Sequence, residues 1–248
     1  MESYLCRTAA PQEPFGFSLL RAANTTGAQS AAGQVSQAIV ILANPDFVMR
    51  SWLPSVFAWA VVLLSIFANT LLIRKLPMIE GIAMFAHVLG FFAFIVVLWV
   101  MAPRGDSTVL TTFESNGWPS AGVASLVGIS AAVGDLIGAD SSLHLAEELK
   151  NASWVLPRSM VATALVNYVL GFVAVVTLVF CLGDLNAALT SSTGQPFVEV
   201  LLNATESTGA TIALTAVMLV LLISCAINNI TCCSRQLWSE KPCRFIYG

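Results

Sequence analysis

Asp140, His144, Glu147, Glu148 and Asn151 are the side chains best suited to chemistry in an otherwise apolar chain. Their spacing lays them along one helical stripe, from an apolar interior toward a polar exit. An acid, two hydroxyls and a histidine at membrane depth are costly, and they persist where they line a protein-enclosed site. Gly138, Ala139, Asp140, Ser141 and Ser142 also predict a broken helix. Glycine permits unusual dihedrals, and Asp and Ser compete for backbone hydrogen bonds. Such a break is tolerable only where the freed backbone groups face a cavity or a ligand. A half-helix starting near Ser141 would point its positive dipole end at a ligand carboxylate. The plainer reading of Glu147, Glu148, Lys150 and Asn151 is a helix emerging into water with its polar side chains solvated.

The composition says what kind of element must position them. Of 248 residues, 57% are hydrophobic and only 10% are charged. Soluble domains carry about 25% charged residues, so a polytopic, all-α membrane protein embedded in a lipid bilayer is expected. A formal net charge of -3 and the lack of a basic run argue against a nucleic-acid partner. The six cysteines form no CxxC pair and no zinc spacing, so neither a metal site nor a disulfide framework is expected. No Walker loop, dinucleotide fingerprint or nucleophile elbow occurs, and neither a cofactor nor an enzyme activity is expected. Gly134-Asp135 partly resembles the GxGD element of intramembrane aspartyl proteases. That chemistry needs a second aspartate on a facing helix, which the predicted spans do not supply.

Four long apolar segments, Ser51–Ile73, Leu76–Ala102, Pro157–Leu182 and Gly209–Thr231, are each long enough to cross a bilayer core of about 30 Å. Pro119–Ala139, continued by Asp140–Lys150, forms a fifth span with the break. Ala22–Leu42 is a sixth, so rich in Ala, Gly, Ser, Gln and Thr that other helices should sheathe it. With the Arg74-Lys75 turn in the cytoplasm, nine of the eleven basic residues fall inside, leaving Arg50 and Arg104 outside. Trp52, Trp99, Trp118, Trp154 and Trp238 lie near span ends, as an aromatic belt requires. Pro103–Trp118 and Gly183–Thr208 read as solvated outer loops.

Within the spans, His87 could relay protons but more simply hydrogen-bonds a neighbouring helix, and the same holds for Asn69, Asn167, Asn228 and Asn229. Gly122, Gly128 and Gly134 suggest close helix packing.

The run IGADSSLHLAEELKNASWVLPRSM at Ile137–Met160, with INNITCCSRQLW at Ile227–Trp238, resembles the fungal branch of the amino-acid/polyamine/organocation permeases, which includes GABA and choline permeases. The resemblance implies a LeuT-type inverted-repeat transporter of about twelve helices, of which the six spans here would be the third to eighth. It implies secondary active uptake of amino acids or small amines, with protons as the coupling ion. Substrate would bind at the discontinuous helix, here Ile137, Gly138, Ala139, Asp140 and Ser141. His144, Glu147, Glu148, Asn151 and Pro157 would form the gating or exit motif. The membrane would be the plasma membrane or that of the vacuole.

The expected organisation is an atypical N-terminal segment at 1–21, a partial permease domain at 22–238 and an atypical tail at 239–248. Only one of the family's two helix breaks is evident, so a truncated product is expected that would not transport by itself. The alternative is a non-transporting membrane remnant that associates with a full-length permease.

Overall fold

The computed structural model describes residues 15–44, 46–47, 50–72, 74–105, 117–136, 151–183, 191 and 193–239, with backbone alone at 15–24, 130–136 and 235–239. Among the described residues all regular structure is helical: α1 (Phe15–Ala43), α2 (Leu53–Leu71), α3 (Leu76–Met101), α4 (Ala121–Leu136), α5 (Ala152–Cys181), α6 (Pro196–Thr205) and α7 (Thr208–Ser239). The four apolar segments all appear as helices long and apolar enough to span, at Leu53–Leu71, Leu76–Met101, Ala152–Cys181 and Thr208–Ser234. Crossing the bilayer core takes about 20 apolar residues. α1 runs for 29 residues and begins at Phe15, ahead of the Ala22 start expected for the sixth span.

The chain divides into two compact units, Met1–Val88 with Thr215–Gly248, and Leu89–Leu214. In the first, α1 is covered on several sides. Ala32 and Ala38 are wholly buried, and Val35, Ile41 and Leu42 nearly so. Small side chains make this possible, because they let backbones approach where larger residues would hold them apart. Gly33 is the closest approach. A Cβ there would fall onto the Pro54 carbonyl and come within 2.9 Å of the Ala58 amide nitrogen. α2 turns Val61, Ser65 and Ala68 inward, one stripe at helical spacing. Ala32, Val61 and Ala226 meet in this unit's core, flanked by Leu219, Leu222 and Ile223.

The second unit holds a feature absent from the sequence reading. Gly183–Thr208, expected as a solvated loop, contains the ten-residue helix α6. Pro196 opens α6 in its first turn, where the missing N–H would have had no helical partner. Val198, Val200, Leu201 and Ala204 are buried, and three of them join Phe94, Leu98, Ala102 and Cys181 in the unit's core. The ends of α3 and α5 are tied as well, by Gly105 N–H to Phe180 C=O at 2.7 Å. Gly183 follows α5 with φ +67°, the left-handed residue that commonly closes a helix. In contrast to Gly33, Gly128 meets nothing within 4 Å and Gly122 only the Ser120 hydroxyl at 3.9 Å. Close packing at these two glycines, expected from their spacing, is not what the structure shows.

Candidate functional site

Ile137, Gly138, Ala139, Asp140, Ser141, His144, Glu147 and Glu148 lie outside the described residues, between the end of α4 at Leu136 and the start of α5. Asn151 and Pro157 are described. Asn151 adopts a left-handed conformation, φ 59° and ψ 43°, and is exposed. Asparagine tolerates this region better than most residues because its short polar side chain bonds locally. Its carbonyl accepts the first bonds of α5, from the N–H groups of Trp154 at 3.0 Å and Val155 at 3.1 Å. Asn151 is therefore not itself helical and stands directly before α5. Pro157 was expected to open the span but lies inside α5, which begins at Ala152. Having no N–H, Pro157 cannot bond the Ser153 carbonyl four residues back. Arg158 stacks on Trp154 in this first stretch, its guanidinium carbon 3.4 Å from the ring centroid.

Among the described residues, two buried polar atoms of the first unit have no hydrogen-bond partner: Oε1 of Gln37 and Oγ1 of Thr215. Gln37 is 2% exposed and Thr215 is 0% exposed. Buried polar atoms are overwhelmingly paired, so each such atom calls for a reason. Sequence reading passed over both, because one Gln or Thr in an apolar run carries no periodic signal.

A polar set joins α2, α3 and α7 in the same unit. Asn69 Nδ2 donates to the carbonyls of Ser65 at 2.9 Å and Ile227 at 3.1 Å, while Thr231 Oγ1 bonds Asn69 Oδ1. Asn69 thus bonds a neighbouring helix, the plainer of its two expected roles. Asn228 Nδ2 donates to Glu80 Oε2 at 2.7 Å. Glu80 went unremarked in the sequence because it is the lone acid of an otherwise apolar α3. His87, two turns along α3, is exposed. Of the described residues, none form a cluster of His, Cys, Asp and Glu suited to a metal ion.

Long apolar helices, buried polar residues between them and an interfacial Trp–Arg pair define a polytopic helical membrane protein. Residues 16–239 match the amino acid permease family, and the chain belongs to it. The choline transporter of Saccharomyces cerevisiae is 26% identical over 241 residues, covering 96% of this chain and 41% of that protein. An uncharacterised amino-acid permease of Schizosaccharomyces pombe is 26% identical over 246 residues, 96% of this chain and 43% of the relative. Amino-acid permease 2 of Neurospora crassa is 35% identical over 94 residues, 38% of this chain and 17% of the relative. The chain spans less than half the length of these relatives. No solved structure matches it.

Proposed function

We propose that this chain is part of a secondary active carrier that moves amino acids or small amines, choline-like or GABA-like, across a plasma or vacuolar membrane with proton coupling. The observation that carries the reading is the permease-family match along residues 16–239. The buried, unpartnered oxygens of Gln37 and Thr215 support it. They would offer acceptors to the ammonium or amide hydrogens of a polar substrate, at no loss of internal hydrogen bonds. The substrate path would pass the segment Ile137–Ser141. There the expected helix break would free backbone groups, and His144, Glu147, Glu148, Asn151 and Pro157 would lead to the cytoplasmic exit.

The test is uptake of labelled choline, GABA, polyamines and a mixed amino-acid panel in yeast lacking its own permeases. The chain is expressed alone and grafted into the matching region of the S. cerevisiae choline transporter. Saturable uptake supports the reading. Gly138→Leu should abolish it without removing protein from the membrane, because a side chain would fill the path and oppose non-helical dihedrals. A graft that reaches the membrane and takes up none of the panel would refute the carrier reading.

A further inference from the structure

We propose that Glu80 is a proton-binding site, held by Asn228 where α3 meets α7. Glu80 is half-buried in the second turn of α3, and Asn228 Nδ2 approaches its Oε2 to 2.7 Å. The nature of the partner is what matters. A lysine or arginine in this position would favour the ionised carboxylate. An amide does not choose, because it carries two donor hydrogens on nitrogen and an acceptor oxygen. With Glu80 ionised, Asn228 donates N–H to the carboxylate. With Glu80 protonated, the amide turns and its Oδ1 accepts the carboxylic O–H. A hydrogen bond across the two helices therefore exists in both states, and a proton exchanges with water while the helix contact survives.

The surroundings keep that partner in register. Thr231, three residues beyond Asn228 on α7, bonds Asn69 of α2, and Asn69 in turn donates to the Ile227 carbonyl at 3.1 Å. These contacts fix α7 against α2 on either side of Asn228. Glu80 lies near the α3 end that follows the Arg74–Lys75 turn, the end which the charge count places in the cytoplasm. Among the described residues, the titratable groups near it can be named one by one. Cys225, one turn from Asn228 on α7, is within electrostatic reach, and Asn229 Nδ2 bonds its sulfur at 3.6 Å. Cys232 and Cys233 follow on α7, and α2 presents the uncharged Asn69. Arg74 and Lys75 stand on the turn before α3, and His87 lies two turns along it. A charge in this setting is costly when it faces hydrocarbon and inexpensive when water reaches it from the basic end. Protonation would therefore respond to whether that end is open. If the chain is part of a proton-coupled carrier, and on that reading alone, the coupling proton is taken up and released at the α3–α7 contact rather than at His87.

The site can be tested without transport. The purified chain is placed in phosphatidylcholine vesicles and followed by infrared difference spectroscopy as the pH is stepped from alkaline to acid. A protonated-carboxyl C=O band should grow in, vanish in Glu80→Gln, and move in frequency in Asn228→Ala, while His87→Gln leaves it unchanged. If Glu80→Gln fails to fold, as judged by circular dichroism, the Asn228→Ala shift decides alone. A spectrum in Glu80→Gln identical to that of the parent, or a band unmoved by Asn228→Ala, would overturn the proposal. Coupling is read in the grafted carrier, where Glu80→Gln should retain substrate exchange but lose gradient-driven accumulation, the inside-to-outside ratio falling to unity. Retained accumulation would overturn the coupling role. A parent graft with no uptake at all would instead count against the carrier reading and leave the infrared result standing.

Discussion

The indole Nε1 of Trp99 donates to Thr177 Oγ1 at 2.9 Å, joining α3 to α5 one turn before α5 ends. Thr177 is fully buried and passes its own hydrogen to the Val173 carbonyl at 2.7 Å. On the same side Arg104 lies 5.6 Å from the Trp99 ring centroid. Thr177→Val should destabilise the protein by about 1 kcal/mol, since the indole N–H loses its acceptor. Thr177→Ser should retain most of the stability. In a Trp99→Phe background the valine substitution should cost less, a coupling that a double-mutant cycle of thermal unfolding in detergent would measure.

Gly33 and Gly128 should respond in opposite ways to alanine. At Gly33 the new methyl meets backbone atoms of Pro54 and Ala58, which cannot rotate aside. A loss of about 1–3 kcal/mol is expected, the usual range for overpacking. At Gly128 the methyl meets nothing within 4 Å, and Gly128→Ala should be neutral or stabilising by up to about 1 kcal/mol through helix propensity. Chemical unfolding of both variants in the same detergent checks the pair.

Gln37→Leu and Thr215→Val should do something most buried substitutions do not. Each removes an oxygen that is buried without a partner among the described residues. Stability should hold or rise, by about 1 kcal/mol, because an unpaired buried polar group is itself a penalty. Uptake by the grafted carrier should show a raised KM. A raised KM accompanied by lost stability would mean the oxygens serve the fold instead.

Glu206 caps α6 with φ 47°, and its N–H bonds the Leu202 carbonyl at 2.9 Å. This left-handed conformation costs a side-chain-bearing residue roughly 1 kcal/mol, which glycine avoids. Glu206→Gly should therefore raise the unfolding midpoint. Asn151→Gly should raise it less, since asparagine already tolerates that region.

The sequon Asn203-Ala204-Thr205 is divided by its own helix. Asn203 is exposed, but Thr205 is buried, with Oγ1 bonded to the Leu201 carbonyl at 2.9 Å and to Thr211 at 2.9 Å. With the sequon on the outer side, the placement expected from the charge asymmetry, glycan should be added only before α6 packs, and occupancy should be low. Leu201→Asp, which disrupts the buried face of α6, should raise it. A glycosidase-sensitive gel shift reads both, and Asn151 should stay unmodified in each.

The spans were legible because hydropathy averaged over about twenty residues survives the change of any one of them. Each of the four apolar segments reappears as a helix within a few residues of its expected bounds, apart from the early start of α5 and the late end of α7 at Ser239. The burial of α1 could be read from its small side chains. α6 was missed for the converse reason. Its apolar positions Val198, Leu201 and Leu202 follow helical spacing after Pro196, yet they were averaged into a long segment rich in Ser, Thr, Asn and Gly. Glu80 was hidden by the same averaging, one acid among apolar neighbours. Asn151 was placed on the exit by its neighbours in sequence, but its left-handed backbone depends on three-dimensional context that no side-chain pattern encodes. The break at Gly138 stands as a reading of residue types, since it falls outside the described structure.

Gly33 has a bearing on motion. Packed helices ordinarily slide past one another by letting interleaved side chains hop between rotamers, a lubricating layer that makes small shears cheap. At Gly33 there is no such layer, because the α1 backbone lies directly on the α2 backbone at Pro54 and Ala58. The two helices have nothing there to slip on. In any rearrangement of this unit they should travel as a single stiff strut, with displacement taken up at the ends of the pair rather than along the seam between them.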